Sequence, residues 1–112
     1  MINYSELKDV FNSKTLSIYE YNVETDEIVD LPFIVYRATD GDFFQADGQN
    51  YIKFLSVTMG VFDQTMNFEL QRKIESVLDE HSTFYDKSIN FDEEQRIYTV
   101  SYTFDVFDDA EH

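Results

Sequence analysis

The sequence contains no cysteine, which excludes disulfide bonds, thiolate metal ligands and catalytic thiols. It has one proline and three glycines, so it is not a linker-like or low-complexity chain. No apolar stretch approaches the roughly 20 residues that cross a bilayer, and the start lacks a basic and then apolar secretion signal. We therefore expect a soluble protein, made and kept in a cytoplasm, with no membrane partner.

Cationic side chains are scarce. The sequence has 8 Lys and Arg residues but 23 Asp and Glu residues, which gives a net charge of −15. The few cations form no basic stripe for nucleic acid. Three explanations of this charge stay open: a surface that keeps the protein soluble, a passage through which DNA slides without sticking, and a mimic of DNA that occupies the groove of a DNA-binding protein.

Apolar and aromatic side chains are plentiful. Hydrophobic residues make up 43% of the 112 residues, and they include 11 Phe and 8 Tyr. This length and composition predict one domain, residues 1–107, followed by an acidic disordered tail at residues 108–112. The aromatic residues exceed what one small core needs, so we expect some to form an exposed patch for contact with other proteins.

Residues 67–80 predict the main helix. Their apolar side chains recur at helical spacing and line one face, whereas most polar side chains, Gln71 among them, fall on the other. Asn67 is placed to cap the first turn. The segments on both sides alternate with period two, which predicts that this helix lies across a sheet. The apolar stripe consists of Leu70, Ile74, Val77 and Leu78.

The remaining segments predict a short N-terminal helix and several strands. Residues 4–12 have helical spacing, with Asn3 as the cap and Glu6 completing a capping box. Residues Asp40–Asp42, Asp47–Gly48 and 92–95 predict turns, and 24–30 a solvated loop. The fold class is therefore α+β, with an antiparallel or mixed sheet and the main helix on one face. The predicted strands are residues 16–23, 33–36, 43–46, 51–62, 84–91 and 96–107.

The strand at residues 51–62 carries apolar groups on both faces. Leu55, Val57, Met59 and Val61 share one face, and Phe54, Gly60 and Phe62 lie on the other. This pattern predicts a central strand, or a strand with one face against a neighbouring subunit. Gly60 indicates a bulge or a close approach of another group. The predicted subunit contact comprises Phe54, Phe62 and Met66.

A search for catalytic residues finds no supporting context. His81 has no nucleophile motif near it, and its place at the end of the main helix favours a simple capping role. The Asp40–Asp42 segment lacks the spaced ligands of a calcium loop, and no glycine-rich phosphate loop is present. We therefore expect a non-enzymatic protein with no catalytic residues, no cofactor and no metal.

Four segments follow one another in a distinctive order: Pro32–Tyr36, Phe44–Asp47 in an F-x-A-D hairpin, the acid-rich helix Glu69–Asp79, and the closing strand Glu94–Phe104. This order resembles the small tail terminator proteins of long-tailed phages that infect Gram-positive bacteria. Together the four segments cover about residues 32–106. The shared pattern consists of structural positions and carries no catalytic signature.

The resemblance implies a structural role in the virion, at the joint between tail and head, with assembly in the host cytoplasm. Such proteins form a ring, usually a hexamer, that caps the tail tube, ends its elongation and meets the head connector or stopper protein. DNA passes through without specific binding. The acids expected at the lumen or at a docking surface are Asp40, Asp42, Asp92, Glu93 and Glu94.

Two alternatives remain beside a tail terminator. An acidic inhibitor that mimics DNA would need carboxylates spaced like phosphates along one exposed face. A neighbouring neck or head–tail connector component would share most features of a terminator.

Overall fold

The computed structural model describes residues 1–14, 16, 18–20, 31–46 and 50–109, and for residues 40–46 and 50–53 it describes the backbone only. A 3-10 turn at Tyr4–Glu6 leads directly into the first α-helix. In chain order the elements are α1 (Leu7–Asn12), β1 (Ile18–Glu20), β2 (Phe33–Ala46), β3 (Asn50–Asp63), α2 (Phe68–Glu80), β4 (Tyr85–Asp92) and β5 (Ile97–Phe107).

The five strands form one mixed sheet in the order β1-β2-β3-β5-β4. β1 runs parallel to β2, and the other neighbouring pairs are antiparallel. This arrangement confirms the predicted α+β class. It also confirms the prediction that the strand with apolar groups on both faces is central, since β3 lies in the middle of the sheet.

The core lies on one face of the sheet, and both helices contribute to it. Leu7 and Phe11 of α1 are buried together with Ile74, Val77 and Leu78 of α2. Alternate strand residues face these helices, as the sequence pattern predicted. The buried strand residues are Ile18, Ile34, Tyr36, Leu55, Val57, Met59, Val61, Val100, Tyr102, Phe104 and Val106.

Helix α2 begins as predicted, with Asn67 as its cap. The Asn67 backbone is left-handed, at φ 46°, and its side-chain oxygen accepts a hydrogen bond from the Leu70 N–H at 3.2 Å. The prediction for Gln71 was wrong, because this residue is only 2% exposed. Its amide stays satisfied while buried, since its nitrogen donates to the Met66 carbonyl.

The N-terminal segment is held by the C-terminal strand. The Phe107 N–H donates to the Ile2 carbonyl at 3.0 Å, and Asn3 bridges to Phe107. Asn3 occupies the N-cap position of the 3-10 turn, as predicted, but its side chain makes no capping hydrogen bond, so the predicted capping box does not form. Ser5 donates through its N–H and its hydroxyl to Asp109, within the predicted tail, of which residues 110–112 lie outside the described residues.

Asp40–Asp42 does not form the predicted turn. These residues lie within the long strand β2. Asp40 pairs with Leu55 and Phe43 pairs with Lys53, so β2 advances three residues where β3 advances two. One extra residue in one strand is a β-bulge. The predicted hairpin is confirmed by the pairing of Ala46 with Asn50, whereas its turn residues and the predicted loop at 24–30 lie outside the described residues.

Candidate functional site

The sheet face opposite the helices is covered by no other element among the described residues. We call this surface the open face. All of its described side chains are half-buried or exposed, and Gly60, which has no side chain, is buried. It is formed by Tyr19, Phe33, Val35, Arg37, Thr39, Phe54, Ser56, Thr58, Gly60, Phe62, Asp86, Ser88, Asn90, Asp92, Thr99, Ser101, Thr103, Asp105 and Phe107.

Two pairs of stacked rings lie on the open face. Phe62 stacks on Phe33 with ring centroids 4.8 Å apart, and Phe54 stacks on Phe107 at 5.5 Å. The alternation in the sequence predicted that Phe54 and Phe62 share one face of the strand, and the structure confirms this. Phe54 and Phe62 are eight residues apart along the extended strand, which corresponds to about 27 Å. The two pairs are therefore distinct apolar patches at opposite ends of the face.

The surface between the two ring pairs is made of small and hydroxyl side chains. Gly60 lies beneath the Phe62 ring, and a Cβ added there would meet Phe62 Cε2 at 3.2 Å. The missing side chain thus allows the close approach that the sequence predicted. A shallow depression opens beside this ring, lined by Val35, Tyr36, Arg37, Thr58, Gly60, Phe62, Thr99 and Ser101.

Met66, the third predicted contact residue, does not lie on the open face. It belongs to the segment that joins β3 to α2, where it is half-buried. Its carbonyl accepts the hydrogen bond from Gln71 that fixes the start of the helix. The structure therefore groups Met66 with the helix cap rather than with Phe54 or Phe62.

The five predicted acids fall into two groups at opposite ends of the sheet. Asp92, Glu93 and Glu94 are exposed at the β4–β5 turn, where the Asp92 carboxylate accepts hydrogen bonds from the N–H groups of Glu94 (3.0 Å) and Gln95 (3.2 Å). Asp40 and Asp42 lie on β2, described by their backbone alone, at the level of Leu55 on β3. A small docking surface on one subunit therefore cannot include both groups of acids.

One polar cluster, which the sequence analysis missed, joins α2 to β4 and β5. The Glu75 carboxylate accepts hydrogen bonds from the hydroxyls of Tyr102 (2.8 Å) and Tyr85 (3.1 Å) and from the Lys87 ammonium (3.0 Å). No local pattern indicates this cluster, because its members are up to 27 residues apart. Tyr102 lies in the predicted core row, and its buried hydroxyl was the only hint that a polar partner was needed.

The electrostatics of this cluster favour an anchor rather than a catalytic group. Burial raises the pKa of Glu75, but hydrogen bonds from Lys87, Tyr102 and Tyr85 outweigh it and the net pKa is lowered. Burial, and then the hydrogen bond to Glu75, raise the pKa of Tyr102 far above its usual range. The carboxylate therefore stays charged and the phenol stays protonated near neutral pH, and neither group is poised to exchange a proton.

His81 ends helix α2. Its N–H donates to the Val77 carbonyl at 3.2 Å, and its own carbonyl accepts from the Met1 nitrogen at 2.7 Å. Within the described part of the chain, no three His, Asp or Glu side chains are grouped to hold a metal ion. Neither of the described helices has the length and apolarity to cross a membrane.

Comparison with known proteins gives no family assignment. No protein-family model matches the chain, and no curated protein sequence matches it significantly. Function must therefore be argued from the open face, the charge and the segment order.

Proposed function

We propose that this chain is a non-enzymatic structural protein of a long-tailed phage or prophage, a tail terminator that caps the tail tube as a ring. The open face carries the proposal. It leaves two stacked Phe pairs half-exposed on a sheet whose other face is covered by both helices, and such apolar patches favour protein contact. The segment order over residues 32–106 supports the same function.

Charge favours the open face as the subunit contact. The chain carries −15 overall, so copies repel each other unless they meet through a weakly charged surface. On its three central strands, β2, β3 and β5, only Arg37 and Asp105 are charged among the described side chains, and β4 adds Asp86 and Asp92 at the margin of the face. Phe54 and Phe62 lie there, and we assign both to the contact. Met66 lies off this face and is not assigned to the contact.

The size of the open face is suitable for such a contact. Four strands at about 4.8 Å spacing and ten paired residues at about 3.4 Å give a surface of roughly 650 Å². Standard protein interfaces bury about 800 Å² on each partner. A heterologous contact of this size, repeated around a closed rotation, produces a ring.

The mechanism is occupation of a site, not catalysis. The ring covers the tube end at which the next tube ring would add, and its other side meets the head connector or stopper protein. The exposed acids Asp92, Glu93 and Glu94, with Asp40 and Asp42, are assigned to the lumen or to docking. Such a lumen does not retain DNA, because DNA binding needs cations that replace its counterions. The protein would act at the tail–head joint after assembly in the host cytoplasm.

The test combines light scattering with negative-stain images, of the protein alone and with purified tail tubes. We expect closed rings with a hole, or caps on tube ends. Two substitutions on the open face, Phe62→Asp and Thr58→Asp, should leave a folded monomer by circular dichroism but prevent assembly. Thr58 is exposed, so its replacement does not disturb packing.

Phe84→Asp is the matched control, because Phe84 is 94% exposed and lies outside the open face. It should assemble like the parent. Assembly of both open-face variants like the parent would refute this contact. Absence of rings together with absence of capping on tail tubes would refute the terminator.

The net charge of −15 also favours a second candidate, an acidic protein that mimics DNA. This function requires salt-sensitive binding to a DNA-binding enzyme, with DNA as a competitor. Closed rings with a hole would refute it. A neck or connector component would form rings but would leave the ends of tail tubes uncapped.

A further inference from the structure

Strand β4 has an edge with no partner among the described residues. It pairs with β5 over eight consecutive residues without a register shift, and it is the outermost strand of the sheet. One row of its backbone N–H and C=O groups therefore points outward along about 26 Å. Such an edge is a template for another extended chain.

Apart from charged side chains, the usual devices that protect a free edge are missing from β4. Proteins block such edges with proline, bulges, very short strands or outward lysines. β4 contains no proline and no bulge, and its single cation, Lys87, is held at 3.0 Å by Glu75 of helix α2. The edge is consequently long, regular and accessible.

Apolar side chains accompany this edge. Ile89 and Phe91 project from the helix side of β4, yet they are 49% and 41% exposed. The Phe91 ring packs against the Tyr98 ring of β5 with centroids 4.6 Å apart, and this contact holds Phe91 in place beside the edge. Alternate apolar residues on an edge strand supply side-chain contacts for an added strand, and the backbone supplies hydrogen bonds.

Charge decides which strand can add. Exposed acids flank the edge: Asp86 within β4, and Asp92, Glu93 and Glu94 at its end. A second copy of β4, placed antiparallel, would bring Asp86 close to Asp92 of the other copy, and like charges on paired strands repel. An added strand with Lys or Arg side chains would instead meet these acids.

We propose that the free edge of β4 binds an extended, positively charged segment of another protein by adding it to the sheet as a sixth strand. This edge borders the open face, and the proposal does not depend on ring formation. Main-chain hydrogen bonds along β4 and apolar contact with Ile89 and Phe91 would hold the segment. The acids at Asp86 and Asp92–Glu94 would select for its charge.

The probe is a synthetic peptide of alternating residues, acetyl-Lys-Val-Arg-Val-Lys-Val-Arg-amide. Two control peptides have Glu in place of Lys and Arg, or N-methylated valines that cannot pair along a strand edge. Binding is followed by amide chemical shifts and hydrogen exchange. We expect the largest shifts at residues 85–92, slower exchange at alternate β4 amides, and weaker binding at high salt.

Ile89→Lys is the decisive variant, because a lysine there removes the apolar contact and adds a repelling charge. We expect its affinity for the basic peptide to fall about tenfold or more. Tyr19→Lys is the matched control: Tyr19 is 47% exposed on β1, at the opposite edge of the sheet. Its affinity should equal that of the parent.

Several results would overturn the proposal. These are no shifts in β4 at millimolar peptide, equal binding of the acidic or N-methylated peptide, or equal binding by the Ile89→Lys variant. Self-association of the protein alone that Ile89→Lys abolishes would show that the occupant is a second copy.

Discussion

The Glu75 cluster allows a sharp test of how helix α2 is held on the sheet. Tyr102 is fully buried, and its hydroxyl donates to Glu75 at 2.8 Å. Glu75→Ala would leave this buried donor without a partner, at a cost of about 1–3 kcal/mol, and would also remove hydrogen bonds to a charged group. We expect the free energy of unfolding to fall by about 3 kcal/mol.

Tyr102→Phe removes the donor instead, and Glu75 keeps its bonds from Tyr85 and Lys87. We expect a smaller loss of about 1 kcal/mol. In the double variant the Tyr102 hydroxyl is no longer present to be left without a partner, so the loss should be smaller than the sum of the single losses by about 1–2 kcal/mol.

The assay is urea unfolding at neutral pH, followed by circular dichroism, for the parent, both single variants and the double variant. Glu69→Ala is the control on the same helix, because Glu69 is exposed and its pair with Lys73 spans 3.9 Å. Exposed pairs of this kind contribute about 0.5 kcal/mol or less. Additive losses for Glu75 and Tyr102, within about 0.5 kcal/mol, would refute the coupling.

The same cluster predicts a pH dependence with a definite sign. Its hydrogen bonds lower the pKa of Glu75 in the folded protein below the usual 4.5. As the pH falls, Glu75 therefore binds a proton in the unfolded chain at a higher pH than in the folded protein. The stabilisation that the Glu75 carboxylate provides is complete only above about its usual pKa. The advantage of the parent over Glu75→Gln should be largest at neutral pH and should shrink as the pH falls below 4.5. An advantage that grows in acid would contradict the assignment.

Two further substitutions test the local backbone. Gly60→Ala would place a Cβ 3.2 Å from Phe62 Cε2, so the Phe62 ring must shift. We expect the free energy of unfolding, measured in urea, to fall by about 1 kcal/mol. This loss should disappear when Phe62 is also replaced by alanine. Asn67→Ala should cost about 1–2 kcal/mol, because it loses the cap and places alanine at φ 46°, whereas Asn67→Gly should cost only a few tenths. The reverse order would contradict the left-handed backbone at residue 67.

Periodic segments were predictable from the sequence because each carries its own signal. The helix at Phe68–Glu80 and the alternation in β3 and β5 depend on residues that are neighbours along the chain. Their buried faces follow from the same spacing, with Gln71 as the exception. The opposite face of β3, with Phe54 and Phe62, was predictable for this reason too.

Features that depend on distant partners were not predictable in the same way. A glycine between two aspartates is compatible with a turn and with a bulge, and only the register against β3 decides for the bulge after Asp40. The Asn3 side chain has a capping residue's chemistry, but its backbone pairs with Phe107. The partners of Glu75 likewise come together only when β4 and β5 are paired.

The bridge between residues 2–5 and residues 107–109 has a consequence for the order of folding. Ser5 and Asp109 are 104 positions apart, so the first turn of the chain gains its partners only after β5 is complete. Contacts of such long range form late, because the entropy of closing the intervening chain must be met first. The contacts of residues 2–5 with residues 107–109 can therefore form only after β5 has been made, whereas α1 can pack against β1 and α2 before that.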